Sequence, residues 1–376
     1  MRVAIVAGEA SGDQLGAAFI AALRERIPGL EVRGVAGSRM LAAGCEPLAH
    51  SEELAVMGLF EVLSHLPRLW RLRRRLVAEI VRWQPDVFVG IDAPSFNLGL
   101  SRQLKAHGLR CVQYVSPQVW AWREHRVREM AARCDLVLCL LPFEPAYYAG
   151  QALRAEFVGH PLADQIPQPA DRLAARRALG LPADAPVLAL LPGSRRSEVT
   201  RLARDFCAAA QLLLQRYPGL TVIAPMANSI ARSEFEPVAR QLSLQLLDGQ
   251  ARLALQAADA ALLASGTATL EALLCGCPMV VAYRFAPATI YLVRLLRLFK
   301  LPYFSLPNLL ANAPLVPELL QEAVTPQALA AAVAARLDDA AGNDRLRERF
   351  AIIHRQLRVG GAARAADAVL RLLQGD

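Results

Sequence analysis

The sequence predicts an α/β protein with two Rossmann-like, doubly wound domains facing a cleft, and three observations predict it. Short apolar runs alternate with segments of helical periodicity, as in parallel sheets covered by helices. The alternation breaks at a proline-rich stretch, residues 159–171, which holds Pro161, Pro167 and Pro169, and then restarts. Turns rich in Gly and Ser follow several of the apolar runs, where an open α/β sheet places its ligands. With 376 residues, 54% hydrophobic and 20% charged, the chain has material for two or three compact domains.

The first unit is the one around which the chain is organised. Residues 2–7 read as a buried strand, Gly8-Glu9-Ala10-Ser11-Gly12-Asp13 as a tight turn, and 14–27 as a helix with Leu15, Phe19, Ala22 and Leu23 on one face. The turn has no G-x-G, so it is not a dinucleotide fingerprint, and Glu9 and Asp13 would repel a pyrophosphate. The two acids are candidates for proton transfer; they are equally readable as an acidic helix start favoured by the helix dipole. Further strands are expected at 31–36, 86–92, 110–115 and 135–141, with a helix-rich stretch at 54–83 and helices at 96–107 and 124–133. Pro67 should break the 54–83 stretch into two short helices.

After the linker, helices are expected at 171–180, 199–216, 267–275, 326–337 and 344–373. Strands are expected at 187–191, 220–225, 244–248, 258–264 and 278–283. Thr325 caps the helix that Pro326 opens. The domains are therefore drawn as 1–165 and 171–343, with helices from about 345 to 376 packing back on the first.

A formal charge of +8 and a pI near 9.4 suit a phosphorylated substrate, an anionic membrane or nucleic acid. Nucleic acid is not expected, because the arginines are spread along helices without an aromatic-studded basic platform. The seven cysteines make no paired metal-ligand spacing, so neither zinc nor another metal is expected, and free thiols in apolar settings fit a reducing compartment. Neither a signal peptide nor a membrane-spanning run is recognisable, which points to a cytoplasmic protein.

In the second half, Ser265-Gly266-Thr267-Ala268-Thr269-Leu270-Glu271 follows a strand and opens a helix, so open N–H groups and the positive end of the dipole could receive a diphosphate. Pro192-Gly193-Ser194-Arg195 also follows a strand and adds a cation. Glu271, one turn after Thr267, could accept from ribose hydroxyls. An ordinary helix cap explains the Ser/Thr/Glu pattern as well. In the first half, Gly90-Ile91-Asp92-Ala93-Pro94-Ser95-Phe96-Asn97 ends a strand with Asp92, placed for a general base or for a helix cap. Tyr114-Val115-Ser116-Pro117-Gln118-Val119-Trp120-Ala121-Trp122-Arg123 carries two tryptophans in a loop, suited to a sugar, an acyl chain or the core. His125 and His160 are lesser candidates for a base.

The strings GEASGD, GIDAPSFN, YVSPQVWAWR, FVGHPL, LLPGSR, SGTATLEA and SLPNLLAN, in this order, resemble the lipid A disaccharide synthases, inverting GT-B glycosyltransferases, over nearly the whole chain. The resemblance implies transfer of 2,3-diacylglucosamine from UDP-2,3-diacylglucosamine to 2,3-diacylglucosamine 1-phosphate (lipid X), with release of UDP and with no cofactor. It implies Asp92 as the essential carboxylate, Arg195 on the UDP diphosphate, Glu271 on the ribose and Asn308 near the donor. Gly193, Ser194, Ser265, Gly266 and Thr267 would complete the donor site, and Ser11, Gln118, Trp120 and Trp122 would meet the acceptor. The family usually reads I-D-A-P-D-F, whereas Ser95 stands here for the second acid; with Asp92 as base the change is harmless.

Two stretches interleave apolar and basic residues. The first carries Leu59, Phe60, Leu63, Leu66, Leu69, Trp70 and Leu72 among Arg68, Arg71, Arg73, Arg74 and Arg75. The second, 290–299, carries Arg294 and Arg297 ahead of Lys300. Core packing accounts for most of the leucines; an anionic inner-membrane surface accounts for leucines mixed with arginines. The expected location is the cytoplasmic face of the inner membrane, and the chain is compatible with a homodimer. Two alternatives share the architecture: a nucleotide-sugar epimerase, and a non-catalytic sugar-nucleotide or lipid-binding protein.

Overall fold

The computed structural model describes residues 1–54, 59–118, 125–286 and 302–375. It comprises two compact units, Met1–Asp164 with Leu357–Asp376, and Gln165–Gln356.

The first unit is built on a seven-stranded sheet of β1 (Arg2–Ala7), β2 (Glu31–Ala36), β3 (Glu46–His50), β4 (Val87–Ile91), β5 (Arg110–Tyr114), β6 (Leu136–Cys139) and β7 (Arg154–Phe157). The order is β3-β2-β1-β4-β5-β6-β7 and every pair is parallel. Crossover helices are α1 (Ala10–Arg26), α2 (Ser38–Ala42), α3 (Leu59–Trp83), α4 (Pro94–Ala106) and α5 (His125–Arg133), and α6 (Pro161–Gln165) ends this run of chain. Alternation along the strands sends each residue to one of two layers. Val3, Ile5 and Ala7 pack with Phe19 and Leu23 of α1, while Ala4 and Val6 pack with Leu72, Leu76 and Ile80 of α3 and Leu100 and Leu104 of α4.

The second unit repeats the plan. Its sheet has β8 (Val187–Leu191), β9 (Thr221–Met226), β10 (Gln245–Asp248), β11 (Ala260–Ala264), β12 (Met279–Tyr283) and β13 (Glu318–Leu320), in the order β10-β9-β8-β11-β12-β13, again parallel. The helices are α7 (Arg172–Ala178), α8 (Arg196–Arg216), α9 (Ser229–Ala239), α10 (Ala251–Ala257), α11 (Thr267–Leu274), α12 (Leu306–Ala311), α13 (Pro326–Asp338) and α14 (Ala340–Leu357). Phe206 of α8, Phe235 of α9 and Val333 of α13 fill one core with Leu188, Leu190 and Leu262.

Two expectations about helices are corrected. Pro67 does not divide α3, which runs through it. A proline removes one backbone donor, and the sixteen residues beyond it are anchored by the buried Leu72, Leu76 and Ile80. The expected helix at 344–373 is two helices, α14 and α15 (Gly361–Gln374), divided at Gly360, whose φ of +74° is left-handed. The Asp164 carboxylate then accepts from the N–H groups of Gly360 (3.1 Å) and Gly361 (2.8 Å), where an anion suits the start of α15. Ala365, Ala366, Ala368 and Val369 of α15 join the α1 layer of the first unit, and Arg26 and Asp367 pair at 2.6 Å.

Candidate functional site

In each sheet the chain changes direction at its first strand, between β1 and β4 and between β8 and β11. Such a switch point leaves a crevice at the carboxyl ends of the two strands, because their following helices cross to opposite faces. The sequence-predicted turns stand at these two places.

In the first unit Ala7 lies beside Ile91, so the turns after β1 and β4 are neighbours. A Cβ on Gly8 would sit 3.4 Å from Cβ of Ala93. Glu9 is the exposed N-cap residue of α1 and makes no side-chain cap, and Ser11 is exposed two residues on. Asp13 is different. It is 4% exposed and accepts from the N–H groups of Gly37 (2.8 Å), Arg39 (2.9 Å) and Met40 (3.0 Å). This carboxylate caps α2, and a side chain at position 37 would strike it, its Cβ 2.6 Å from Asp13 Cγ. The reading of Asp13 as a proton-transfer group is corrected to a structural anchor, since its oxygens are taken by the backbone.

Asp92 and Ala93 are consecutive non-glycine residues in the left-handed region, with φ of +50° and +39°, and Val115 at the end of the next strand has φ of +78°. Such residues cost on the order of 1–3 kcal/mol each and persist only where their surroundings hold them. The Asp92 carboxylate is half-buried and has no side-chain hydrogen bond or ion pair among the described residues. Its main chain is fully engaged: the N–H donates to Tyr114 O (2.9 Å), and the carbonyl accepts from Asn97 Nδ2 (2.9 Å) and Gln113 Nε2 (3.0 Å). The sequence reading singles out neither Asn97 nor Gln113 as a site residue, although both reach Asp92. Asn97 sits in the quoted string, and Gln113 is a lone amide in an otherwise apolar strand, which was the available signal.

Ser95 is exposed as the second residue of α4. Gln118 is exposed, while Ser116 anchors its loop from below through Tyr148 Oη at 2.8 Å. Trp120 and Trp122 lie outside the described residues, as does the side chain of His125. His160 is held as a neutral ring: burial pushes its pKa down to about 4, and its Nδ1 accepts from the Leu162 N–H at 3.2 Å.

In the second unit Leu191 lies beside Leu263, bringing the turns after β8 and β11 together. Gly193 has φ of +127°, and a Cβ there would stand 2.5 Å from Glu198 Cβ. Glu198 Oε2 accepts from the N–H groups of Ser194 (3.0 Å) and Arg195 (3.3 Å), so these donors are engaged by the protein itself. The Arg195 guanidinium is 80% exposed and touches Glu198 only at 3.4 Å, leaving a cation available at the turn. Across from it Gly266, φ +154°, has open space around its would-be Cβ, and Thr267 is exposed. The first-turn N–H groups of α11 thus begin in a glycine-lined opening, an arrangement that suits an anion.

Behind this opening, Ser265 Oγ donates to Phe304 O (2.8 Å), and Thr269 Oγ1 accepts from the Leu306 N–H (3.3 Å). Asn308, 1% exposed, donates to Val316 O and accepts from Val316 N, both at 2.9 Å. The amide of the residue expected near the donor is thus engaged by its own loop. Glu271 lies half-buried 3.7 Å from Arg252, and burial raises its pKa despite that cation.

On α3, Trp70 is 51% exposed beneath the Arg74 guanidinium, 4.7 Å from the ring centroid, with Arg68 and Arg71 exposed nearby and Leu69 half-buried. Leu72 is 6% exposed inside the core, so the expectation that it meets a membrane is corrected. It points to the sheet. The side chains of Leu59, Phe60, Leu63 and Leu66, and residues 290–299, lie outside the described residues. Among the described residues no helix is long and apolar enough to cross a membrane.

Comparison with known proteins completes the description. The family model for lipid-A-disaccharide synthetase matches residues 3–368. The lipid-A-disaccharide synthase of Pseudomonas aeruginosa (strain LESB58) is 52% identical over 377 residues, covering 100% of this chain and 98% of the relative. The UDP-GlcNAc 2-epimerase of Neisseria meningitidis bound to UDP-GlcNAc has a TM-score of 0.65 at 12% identity, covering 100% of both chains. The calicheamicin glycosyltransferase CalG4 has a TM-score of 0.60 at 17% identity, covering 99% of this chain and 98% of the other. At those identities the two solved structures speak to the fold alone.

Proposed function

This chain belongs to the lipid-A-disaccharide synthetase family, and from that premise we propose how its residues carry the reaction. It is a glycosyltransferase with the α/β architecture of the GT-B enzymes. It transfers 2,3-diacylglucosamine from UDP-2,3-diacylglucosamine to lipid X, forming the β-1,6-linked lipid A disaccharide 1-phosphate and UDP with inversion.

The observation that carries the residue-level reading is the Asp92 carboxylate, without a partner among the described residues, on a backbone held in the left-handed region at the first switch point. As general base it takes the proton of the acceptor 6-hydroxyl while that oxygen attacks C1 of the donor sugar. The bond from C1 to the UDP oxygen breaks on the opposite face, and the electron pair leaves with UDP. A positioned base contributes typically ~10²–10⁴-fold. Negative charge builds on the departing diphosphate, where the exposed Arg195 and the first-turn N–H groups of α11 stabilise it. Glu271 serves the ribose hydroxyls, and Glu9, Ser11 and Gln118, exposed at the strand ends of the first sheet, serve the acceptor. Ser95, exposed beside Asp92, has no part in the proton transfer.

Acyl chains must be collected from a lipid surface. Trp70 with Arg68, Arg71 and Arg74 forms a mixed aromatic and basic face of the kind that lies on anionic headgroups, each basic residue adding about 1 kcal/mol. Trp70→Ala combined with Arg71→Glu and Arg74→Glu should abolish sedimentation with phosphatidylglycerol vesicles; retained sedimentation refutes this face as the contact.

The reaction itself is tested by mixing enzyme with UDP-2,3-diacylglucosamine, with and without lipid X. Disaccharide and UDP should form in equal amounts, and only when lipid X is present. Epimerised sugar nucleotide without lipid X would show the epimerase alternative, and tight UDP binding without turnover the non-catalytic one.

A further inference from the structure

Carbonyl oxygens at the ends of three neighbouring parallel strands of the first sheet, β1, β4 and β5, lie close together. Two buried amides meet them. Asn97 Nδ2 lies 3.1 Å from Ile91 O, 2.9 Å from Asp92 O and 3.5 Å from Val6 O. Gln113 Nε2 lies 3.0 Å from Asp92 O, 3.4 Å from Tyr114 O and 3.3 Å from Val115 O. Both side chains belong to fully buried residues.

The orientation of the two amides is forced. Their own oxygens, Asn97 Oδ1 and Gln113 Oε1, are buried and have no hydrogen-bond partner among the described residues. Turning either amide over would point an oxygen at a group of carbonyl oxygens, which only a donor can satisfy. The NH₂ groups therefore face the strand ends even though the amides' own acceptors go unpaired. Only the Asp92 carbonyl receives both, and it belongs to the residue whose φ of +50° begins the left-handed pair Asp92-Ala93. Gln113 also reaches the carbonyl of Val115, whose β-branched side chain makes a φ of +78° a true outlier. Satisfying buried carbonyls explains why amides stand here; it does not explain why both converge on Asp92, whose carboxylate is unengaged among the described residues.

We infer that Asn97 and Gln113 are positioning residues for the transfer reaction: together they clamp the Asp92 carbonyl and so fix where its carboxylate stands. The inference rests on Asp92 being the base. A misplacement of about 1 Å at a reacting group is enough for a loss on the order of 100-fold, and a base held by two donors at its own main chain is protected from it. Binding of the nucleotide does not run through this clamp, since its proposed contacts belong to the second sheet.

The test compares Gln113→Met and Asn97→Leu, which keep the length or volume of the side chain and remove the donor, with Asp135→Ala. Asp135 holds the opposite end of the same strand, accepting from the Cys111 N–H at 2.7 Å and pairing with Lys105 at 2.7 Å. It therefore reports what loosening β5 alone does. Measured on the folded fraction, each amide variant should lose on the order of 100-fold in kcat with KM for UDP-2,3-diacylglucosamine little changed, while Asp135→Ala keeps its kcat. Wild-type kcat in Gln113→Met overturns the inference, even where Asn97→Leu does not fold. So does an equal loss of kcat in Asp135→Ala. Asp92→Asn is run beside them: if it turns over normally, the base assignment fails and the clamp with it, whereas an inactive Asp92→Asn beside active amide variants refutes the clamp alone.

Discussion

The two switch points are built from the same strand order and finished in opposite ways. At the end of β4 the left-handed backbone is carried by Asp92 and Ala93, and two buried amides bind the carbonyl of Asp92. At the ends of β8 and β11 the unusual φ values belong to glycines, Gly193 and Gly266, and the cation beside them is 80% exposed. The difference fits the roles proposed for the two ends. A proton moves over a few tenths of an ångström and needs an atom held rigidly. A diphosphate is larger, carries its own charge, and needs open N–H groups with a cation able to follow it. One end is over-determined and the other is left open.

That contrast can be broken first at Arg195. Arg195→Ala should weaken UDP by about 10- to 100-fold, the worth of a charge-assisted hydrogen bond, and the loss should shrink as salt rises because the guanidinium is exposed. Calorimetric titration with UDP at two ionic strengths reads it. A UDP affinity equal to wild type would remove the cation from the donor site and leave the second sheet without its distinguishing feature.

A smaller effect is expected at Glu271, where burial raises the carboxyl pKa. The folded state then holds the proton more tightly than the unfolded chain does, so the glutamate is most favourable at acid pH. Its stability contribution falls as pH rises from the ordinary glutamate range through the raised value. Glu271→Gln removes this pH-dependent penalty and should raise the unfolding midpoint by about 1–3 °C at neutral pH, with little gain at acid pH, while weakening donor binding. A lower midpoint at neutral pH would mean that the pairing with Arg252 outweighs burial.

Much of the architecture was legible because central parallel strands are apolar on both faces; β1, β4, β8 and β11 could be seen without knowing their neighbours. The edge strands β3, β7 and β13 were not expected, being three to five residues long with half-buried or exposed positions. The break at Gly360 was hidden because apolar spacing continues on both sides, and the deciding contact comes from Asp164, distant in sequence. The turns at the strand ends were found by their glycines and by the family strings. What those turns hide was not found. Asp13 looks like a reacting group and Asn308 like a donor-side residue until their backbone partners are known, and Leu72 shares its basic stretch with Trp70 but faces the other way. Gln113 is the reverse case: a polar residue in an apolar strand has no visible purpose until topology sets it beside Asp92.

The most direct measurement pairs single-turnover disaccharide formation with UDP binding for Asp92→Asn. Turnover should fall by about 10²–10⁴-fold, the usual contribution of a positioned base, while UDP affinity stays that of wild type because its contacts lie on the second sheet. Normal turnover, or a loss of UDP affinity matching the loss of rate, would contradict the assignment of proton transfer to one strand end and anion binding to the other.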